Sequence, residues 1–379
     1  MLTHFLHDIY QKITELAGSS KGWALAVVLA SRGSTPCKAG AKAVFLADGT
    51  IFGTIGGGAV EAEAGRVATE AIGTGRPVMF DFVLEGEGIG AVEPICGGAM
   101  RVLVDPASGS RGEACEAAAN ALRDRSRGVL ITRIGGGAGL PATETGKEVG
   151  SGLSSLAIRV GVGELSVEYV REESLGRITD VDVETLRAVL GKEEPRLVSG
   201  ETDAGPGGGI LIEPVLPSPL LVIVGAGHVG QAVAWQAEAV GFDVVVVDDR
   251  QEYLAPERFP RGTAVRCGPM EQLADSLSLT ADTYVAIVTR GHRHDAEVLA
   301  ACMNKPAAYI GMIGSGRKVA QMRKEFVDSG RATAEAFDRV YAPIGLDIGA
   351  KTVPEIAASI VAQLIAVRRR GTAPRIGVS

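Results

Sequence analysis

The sequence has few cysteines, few aromatic residues and no long apolar run. Its five cysteines, at positions 37, 96, 115, 267 and 302, are odd in number and show no CxxC spacing, which argues against a disulfide framework and a structural zinc site. No apolar stretch reaches the roughly 18 residues of a membrane span, so no membrane partner is expected. The first residues predict an amphipathic helix rather than a signal peptide. We therefore expect a cytoplasmic protein with reduced thiols.

Basic residues are not in excess either. The chain has 38 Lys and Arg against 45 Asp and Glu, a formal net charge of -7, whereas nucleic-acid binders normally present a basic face. We therefore expect no nucleic-acid partner. With 46% hydrophobic and 22% charged residues among 379, the composition is that of a soluble globular protein. The length predicts two domains of about 150–200 residues each.

A glycine-rich loop between an apolar strand and a helix is the most informative motif in the chain. Gly225-Ala-Gly-His-Val-Gly230 matches Gly-x-Gly-x-x-Gly directly after the apolar run 220–224, and a second apolar run ends in Asp248 and Asp249. A strand, a glycine loop, a helix and an acid after the next strand are the context that the dinucleotide-binding fingerprint requires. The motif predicts a Rossmann-type βαβ unit, and the nature of its ligand is a separate question.

Strands and helices alternate regularly from Pro219 onward, after a connection rich in glycine and proline. We predict strands at 220–224, 243–247, 263–266, 284–288, 307–311 and 339–341, and helices at 227–240, 293–303, 315–328 and 353–369. This alternation indicates an α/β fold with a doubly wound parallel sheet. The predicted architecture is thus a Rossmann-like domain over 217–379 and a mixed α/β (α+β) domain over 1–216.

Histidines collect at one edge of the predicted parallel sheet. Three of the five histidines, His228, His292 and His294, follow predicted strands, together with Asp295. Ligands of such sheets bind beyond the carboxyl ends of the strands, where these residues could bind a phosphate, relay protons or bind a metal. A metal is least favoured, because histidines two residues apart share a face only in an extended chain. The next strand leads into Gly314 and Ser315, where a helix N-terminus could take a second anion.

The first half of the chain contains another glycine loop. A predicted hairpin, 43–46 with 50–52, leads into Gly53-Thr-Ile-Gly-Gly-Gly58 and a predicted helix over 60–72. Backbone N–H groups at such a helix start can bind an anion, but glycines also serve a tight turn, and both interpretations stay open. Cys96 lies in a glycine loop between predicted strands 78–82 and 100–104. It is either an exposed reactive thiol or a small buried apolar residue.

Several of these motifs together resemble the XdhC/CoxI family, whose members are maturation factors for xanthine and carbon monoxide dehydrogenases. The first half contributes Gly33-Ser-Thr-Pro36, Gly53-Thr-Ile-Gly-Gly-Gly58 with Glu61, and Cys96-Gly-Gly98. The second half contributes Gly225-Ala-Gly-His228, Val247-Asp-Asp-Arg250, Gly291-His-Arg-His-Asp295, Tyr309-Ile-Gly-Met-Ile-Gly314 and Ala342-Pro-Ile-Gly-Leu-Asp-Ile-Gly-Ala350. The matches cover about residues 20–105 and 219–368, and the segment 106–216 matches no motif.

The resemblance implies a cofactor-insertion chaperone rather than a catalyst. Such a protein binds molybdenum cofactor (molybdopterin) as cargo and protects it while a cysteine desulfurase supports its sulfuration. It then delivers the cofactor to an apo-molybdenum hydroxylase, and a homo-oligomer (dimer) is expected. The resemblance and the motifs together give these candidate cofactor-binding residues: Gly56, Gly57, Gly58, Glu61, Cys96, Gly225, Gly227, His228, Gly230, Asp248, Asp249, His292, His294, Asp295, Gly314, Ser315 and Asp347.

Two departures from the family pattern concern cysteine. The family commonly has Cys after the triple glycine, where this chain has Ala59, and Arg after Gly-Ser-Thr-Pro, where it has Cys37. The chain therefore uses Cys37 or Cys96 in place of that thiol, or it lacks the step that the thiol performs. Two other functions account for the second half alone. One is an NAD(P)-dependent oxidoreductase, supported by the glycine fingerprint and Asp248, and the other is a nucleotide-sensing module.

Overall fold

The structure of the chain is a computed structural model. It describes residues 2–19, 21–86, 98–106, 110–136, 144–149, 153–198, 208–277 and 279–374. Two compact units are present, Thr3–Pro217 and Ser218–Ser379, the second also including Met1–Leu2. The division thus falls after Pro217, and the sequence-based prediction placed it after residue 216.

The unit Thr3–Pro217 contains helices and an antiparallel sheet. Its helices are α1 (Leu2–Ala17), α2 (Gly58–Thr74), α3 (Ser110–Arg123) and α4 (Val183–Lys192), with a 3₁₀ helix at Glu172–Arg177. Its strands are β1 (Trp23–Gly33), β2 (Lys42–Leu46), β3 (Ile51–Thr54), β4 (Val78–Gly86), β5 (Gly98–Asp105), β6 (Gly128–Gly136), β7 (Glu144–Val149), β8 (Leu153–Arg171), β9 (Arg196–Val198) and β10 (Gly209–Val215).

The strands of this unit pair in the order β3-β2-β1-β5-β4-β8-β6-β10-β9, with β7 on β8. Side chains alternate between the faces of a strand, so β1 can serve two cores. Trp23, Leu25 and Val27 pack with α1 and α3 on one face. Ala24 and Ala26 pack with α2 on the other. The amphipathic periodicity of α1 and α2 is explained by these two cores.

A buried ion pair joins strands that stand near opposite ends of this order. Lys42 of β2 forms a salt bridge with Glu213 of β10, and both side chains are 2% exposed. The sheet therefore curves until its two ends meet. Side chains two residues apart on a strand face the same side, and Lys42 lies two residues before the core residue Val44. Glu213 likewise lies two residues after the core residue Leu211. Both charged residues therefore occupy core-facing positions.

The longest strand of this unit was not predicted. β8 runs for 19 residues and pairs with β4, β6 and β7. Its sequence mixes short apolar runs with glycine and charged residues, which is why periodicity alone gave no assignment. Gly135 and Gly136, the first residues of the glycine-rich run 135–139, continue β6. Residues 137–139 lie outside the described part of the chain.

The unit Ser218–Ser379 is the predicted doubly wound parallel fold. Its helices are α5 (His228–Ala239), α6 (Met270–Ser276), α7 (His292–Cys302), α8 (Gly316–Asp328), α9 (Ala334–Asp338) and α10 (Val353–Arg370), with 3₁₀ helices at Gln251–Tyr253 and Pro256–Arg258. Its strands are β11 (Leu220–Val224), β12 (Asp243–Asp248), β13 (Ala264–Cys267), β14 (Thr283–Ile287) and β15 (Tyr309–Met312).

Helices cover both faces of the parallel sheet, whose order is β13-β12-β11-β14-β15. α5 and α10 pack on one face, and α6, α7, α8 and α9 contribute to the core on the other. Both faces are buried at β11, β12, β14 and β15, which explains their nearly continuous apolar sequences, whereas the edge strand β13 is exposed. Glu355 accepts the N–H groups of Lys351 and Thr352, both at 2.8 Å, and so fixes the predicted start of α10.

One predicted strand is reduced to a single bridge. The strand expected at 339–341 appears as a parallel bridge between Gly311 and Tyr341, where Tyr341 N–H donates to the Ile310 carbonyl at 2.9 Å. A proline at 343, which lacks an N–H donor, ends the ladder there. Among the described helices, none is long and apolar enough to cross a membrane.

Candidate functional site

The glycine loop lies at the position where the strand order of the parallel sheet reverses. β11 pairs with β12 on one side and with β14 on the other, so the loops after β11 and β14 turn to opposite faces and leave a crevice. The two loops touch: Val288 N–H donates to the Val224 carbonyl at 2.8 Å, and a Cβ on Gly225 would lie 2.6 Å from the Val288 oxygen. The loops after β11 and β14 are therefore in direct contact.

Each glycine of the fingerprint has its own physical reason. Gly225 has φ +113°, a conformation that favours glycine. A Cβ on Gly230 would overlap the carbonyl oxygen of Gly225, so this position must be glycine for α5 to pack against β11. A Cβ on Gly227 would meet nothing within 4 Å. Gly227 therefore borders open space at the N-terminus of α5, where the first backbone N–H groups lack partners within the helix.

Asp248, the acid at the end of β12, is completely buried, and its carboxylate is hydrogen-bonded to other residues of the protein. Its Oδ2 accepts the Ala226 N–H at 2.6 Å and Arg250 Nη2 at 3.0 Å. Its Oδ1 accepts the backbone N–H of Arg250 at 3.0 Å and Nε at 2.8 Å. Burial alone would raise the pKa of Asp248, but these hydrogen bonds outweigh it and hold the pKa below its ordinary value. Asp249, in contrast, is exposed.

Two arginines and a tyrosine fill the space beside Asp248. The guanidinium of Arg250 lies 3.7 Å from the centre of the Tyr253 ring, and that of Arg258 lies 4.8 Å from it. Arg258 also donates to the carbonyl oxygens of Tyr253 at 3.0 Å and Ala226 at 3.2 Å. The loop after β12 is thereby fastened to the glycine loop.

The loop after β14 places Asp295 in a buried network rather than at the surface. Asp295 is 0% exposed and accepts the hydroxyl proton of Thr289. Its other oxygen forms a salt bridge with Lys318, whose side chain is 25% exposed. The network joins α7 to α8, so the role of Asp295 in this structure is to hold Lys318 at the edge of the sheet.

The three histidines of this edge have different surroundings. His228 is the exposed first residue of α5. His292 begins α7, and its side chain lies outside the described part of the chain. Nδ1 of His294 is buried and has no hydrogen-bond partner among the described residues. Within the described residues, no group of three or more His, Cys, Asp or Glu is arranged to hold a metal.

The next two loops complete the edge. Ser315 caps α8 by accepting the Lys318 N–H at 3.3 Å, and Gly314 precedes it. Asp347 is exposed in a loop that α10 holds in place, since Gln363 bonds both the N–H and the carbonyl of Gly345 at 2.8 Å. Lys318 and Gln363 were not predicted as site residues. Both occupy ordinary helical positions, and only the folded structure brings them to these loops.

The glycine loop of the first unit donates hydrogen bonds to a carboxylate of the protein itself. Glu61 Oε1 accepts the Thr54 hydroxyl at 2.6 Å, the Ile55 N–H at 3.0 Å and the Gly57 N–H at 2.9 Å. Desolvation would raise the pKa of Glu61, but these hydrogen bonds outweigh it and lower the pKa. Gly56, Gly57 and Gly58 all have positive φ, at 122°, 71° and 59°. Glu61 thus closes the tight turn that one of the two sequence interpretations proposed.

Cys37 lies beside this loop. A Cβ on Gly56 would contact the Pro36 ring and lie 3.4 Å from Cys37 N, and Cys37 packs with Ala59 against the same core. Burial, and then the charge of Glu61, raise the pKa of the Cys37 thiol. Cys37 is therefore the cysteine that the structure brings next to the position where the family pattern has its thiol. Cys96 lies outside the described residues.

The fold and these loops define a two-unit α/β protein with a Rossmann domain whose glycine loop faces an open helix N-terminus. Family models match both units: that of the XdhC and CoxI family over residues 16–83, and that of the XdhC Rossmann domain over residues 221–364. The chain belongs to the XdhC and CoxI family.

Similar proteins agree with this assignment. The uncharacterized protein YqeB of Escherichia coli is 26% identical over 95% of this chain, and a probable xanthine dehydrogenase subunit from Bacillus subtilis is 29% identical over 42% of it. The chain spans 46% of the length of each of these relatives. A crystal structure from Bacillus halodurans, described as a xanthine dehydrogenase, superposes with a TM-score of 0.69 at 22% identity, covering 97% of this chain and 98% of that one. That likeness concerns the fold.

Proposed function

We propose that this protein is an accessory factor for a xanthine dehydrogenase-type molybdenum hydroxylase, and that it carries molybdopterin as its cargo. The observation that carries the proposal is the open space at Gly227, where the N-terminus of α5 can accept the phosphate of a ligand. Molybdopterin is a pterin that bears a phosphate. Membership of the XdhC and CoxI family, and the name of the Bacillus subtilis relative, support the choice of client.

The charges along the edge also favour an anionic ligand. Arg290 is exposed in the loop after β14, Arg317 is exposed in the first turn of α8, and Lys318, next to Arg317, is held by Asp295. These cations stand out in a chain with a net charge of -7, and a local positive potential attracts anions. The cargo would thus be held by the backbone at α5 and by these side chains. Sulfuration by a cysteine desulfurase, delivery to the client and a dimeric state belong to the same proposal.

The test is binding of molybdopterin released from a molybdenum hydroxylase, measured by equilibrium dialysis and by fluorescence of the oxidised pterin. We expect saturable binding to the wild-type protein and loss of most of it in Gly227→Ala, because the new methyl group occupies the space that the phosphate would enter. The matched control is Gly73→Ala, whose Cβ also meets nothing within 4 Å but lies on α2. A wild-type protein that neither binds the pterin nor stimulates maturation of the hydroxylase would contradict the proposal.

A further inference from the structure

The acid at the end of the second strand of a Rossmann unit is the residue that recognises a dinucleotide. In NAD-binding domains it accepts a hydrogen bond from a hydroxyl of the adenosine ribose. Asp248 occupies this position here. It is the last residue of β12, and its carboxylate faces the glycine loop because Oδ2 accepts the Ala226 N–H at 2.6 Å. Asp249 is the exposed neighbour and makes no such contact with the loop.

The carboxylate of Asp248 has no capacity left for a ribose hydroxyl. An ionised carboxylate offers about four lone-pair sites, and Asp248 already accepts four hydrogen bonds: one from Ala226, and three from the backbone, Nε and Nη2 of Arg250. Its side chain is 0% exposed. A ribose could approach only if Arg250 withdrew.

Arg250 is held in place on its other side. Its guanidinium stacks on Tyr253 at 3.7 Å, and Tyr253 is in turn fixed by Arg258, which lies 4.8 Å from the ring. Arg258 donates to the Ala226 carbonyl at 3.2 Å and to Gln231 Oε1 at 3.3 Å. Withdrawal of Arg250 would therefore cost a bidentate ion pair and a stacking contact together. A neutral hydroxyl forms a weaker hydrogen bond than the charge-assisted pair it would replace.

We propose that Arg250 closes the ribose position of this Rossmann domain, so that the glycine loop selects an oxyanion ligand that carries no adenosine. Arg250 is then the residue that determines ligand specificity. The N-terminus of α5 at Gly227 remains open to an anion. The position that would bind a nucleoside, beside Asp248, is closed. The proposal deepens the proposed function, on which it rests for an anionic ligand at the same loop. Its test uses NAD rather than molybdopterin, so either proposal can fail alone.

The test is calorimetric titration of NAD into the wild-type protein and Arg250→Ser. We expect no saturable binding to the wild type at millimolar NAD, and saturable binding to Arg250→Ser that is tighter by about tenfold or more, since a hydrogen bond to a charged group is worth at least that factor. Arg261→Ser is the matched control, because Arg261 is an exposed arginine eleven positions further along the same segment. It should behave as the wild type.

Two results would overturn the proposal. One is saturable binding of millimolar NAD to the wild-type protein, and the other is a folded Arg250→Ser that binds NAD no better than the wild type does. Thermal unfolding establishes whether the variant is folded. If it is not, the amide resonance of Ala226 in the wild-type protein decides. The chemical shift of this amide should remain unchanged when NAD is added, because Asp248 keeps its hydrogen bond to that N–H. A saturable change of the shift would refute the inference.

Discussion

The carboxylate of Glu61 bonds the glycine loop of the first unit and acts on a neighbouring thiol. Glu61 accepts three hydrogen bonds from the loop and raises the pKa of the neighbouring Cys37 thiol, to which burial contributes most. The thiolate is the reactive form of cysteine. Burial and Glu61 therefore both disfavour the reactive thiolate of Cys37.

Glu61→Gln should lower the pKa of Cys37 and speed its alkylation, because the negative charge is removed while a side chain of the same shape remains. The sign follows from the charge: a nearby anion disfavours the thiolate, so its removal moves the titration to lower pH. The measurement is the pH dependence of iodoacetamide labelling at Cys37, resolved by peptide mass spectrometry. Glu113→Gln, an exposed position on α3, is the control. An unchanged or higher pKa in Glu61→Gln would contradict the assignment.

Residue identities in both glycine loops were predictable, but their partners were not. The fingerprint predicted the positions of Gly225, directly after β11, of Gly230 in the first turn of α5, and of Asp248 at the end of β12. Nothing in the sequence indicates that Arg250 saturates Asp248 or that Lys318 bonds to Asp295. Such pairing depends on rotamers and on the spacing between elements, which local patterns do not contain.

At the scale of elements, the start of α5 combines a glycine that packing requires with one that borders open space. Gly230 lets the helix approach the carbonyl of Gly225, whereas Gly227 borders open space. Periodicity predicted α5 and the strands around it well, since their apolar faces are long and regular. It missed α6 and α9, which span seven and five residues and are too short to show a period. It also predicted a strand where only the Gly311–Tyr341 bridge forms.

The two glycines should therefore respond differently to alanine. Gly230→Ala is expected to destabilise the second unit by about 1–3 kcal/mol, the usual cost of overpacking, because the new Cβ overlaps the Gly225 carbonyl. Gly227→Ala should change stability by less than about 1 kcal/mol, since φ is -66° and the Cβ meets nothing. Urea unfolding followed by Trp235 fluorescence, in a Trp23→Phe background, measures both. Equal losses of stability in the two variants would contradict this geometry, in which a Cβ is crowded at Gly230 but not at Gly227.

At the scale of the whole molecule, the first unit contains two buried ion pairs, one between strands of the curved sheet and one between β5 and α3. Lys42 pairs with Glu213, and Arg111 with Asp105, and all four side chains are at most 2% exposed. The Lys42–Glu213 pair spans 171 residues of sequence. A lysine and a glutamate at core-facing strand positions appear in the sequence as breaks in an apolar pattern, and their pairing could not be predicted from it. Only the curvature of the sheet brings them together.

Breaking one partner of this pair should cost far more than removing both. Lys42→Met leaves the Glu213 carboxylate buried without its cation and is expected to lower the free energy of unfolding by about 3–5 kcal/mol. The double variant Lys42→Met/Glu213→Leu should recover most of that loss, because an apolar pair avoids the desolvation of two charges. Urea unfolding of a Trp235→Phe background, followed by the buried Trp23, reports on the first unit.

The exposed pair Lys12–Glu15, at 3.2 Å on α1, is the control for this experiment. Lys12→Met should cost about 0–1 kcal/mol, as for most surface ion pairs. If Lys42→Met cost no more than Lys12→Met, Lys42 and Glu213 would not form a buried pair between β2 and β10. A double variant no more stable than Lys42→Met would instead show that the two charges act independently.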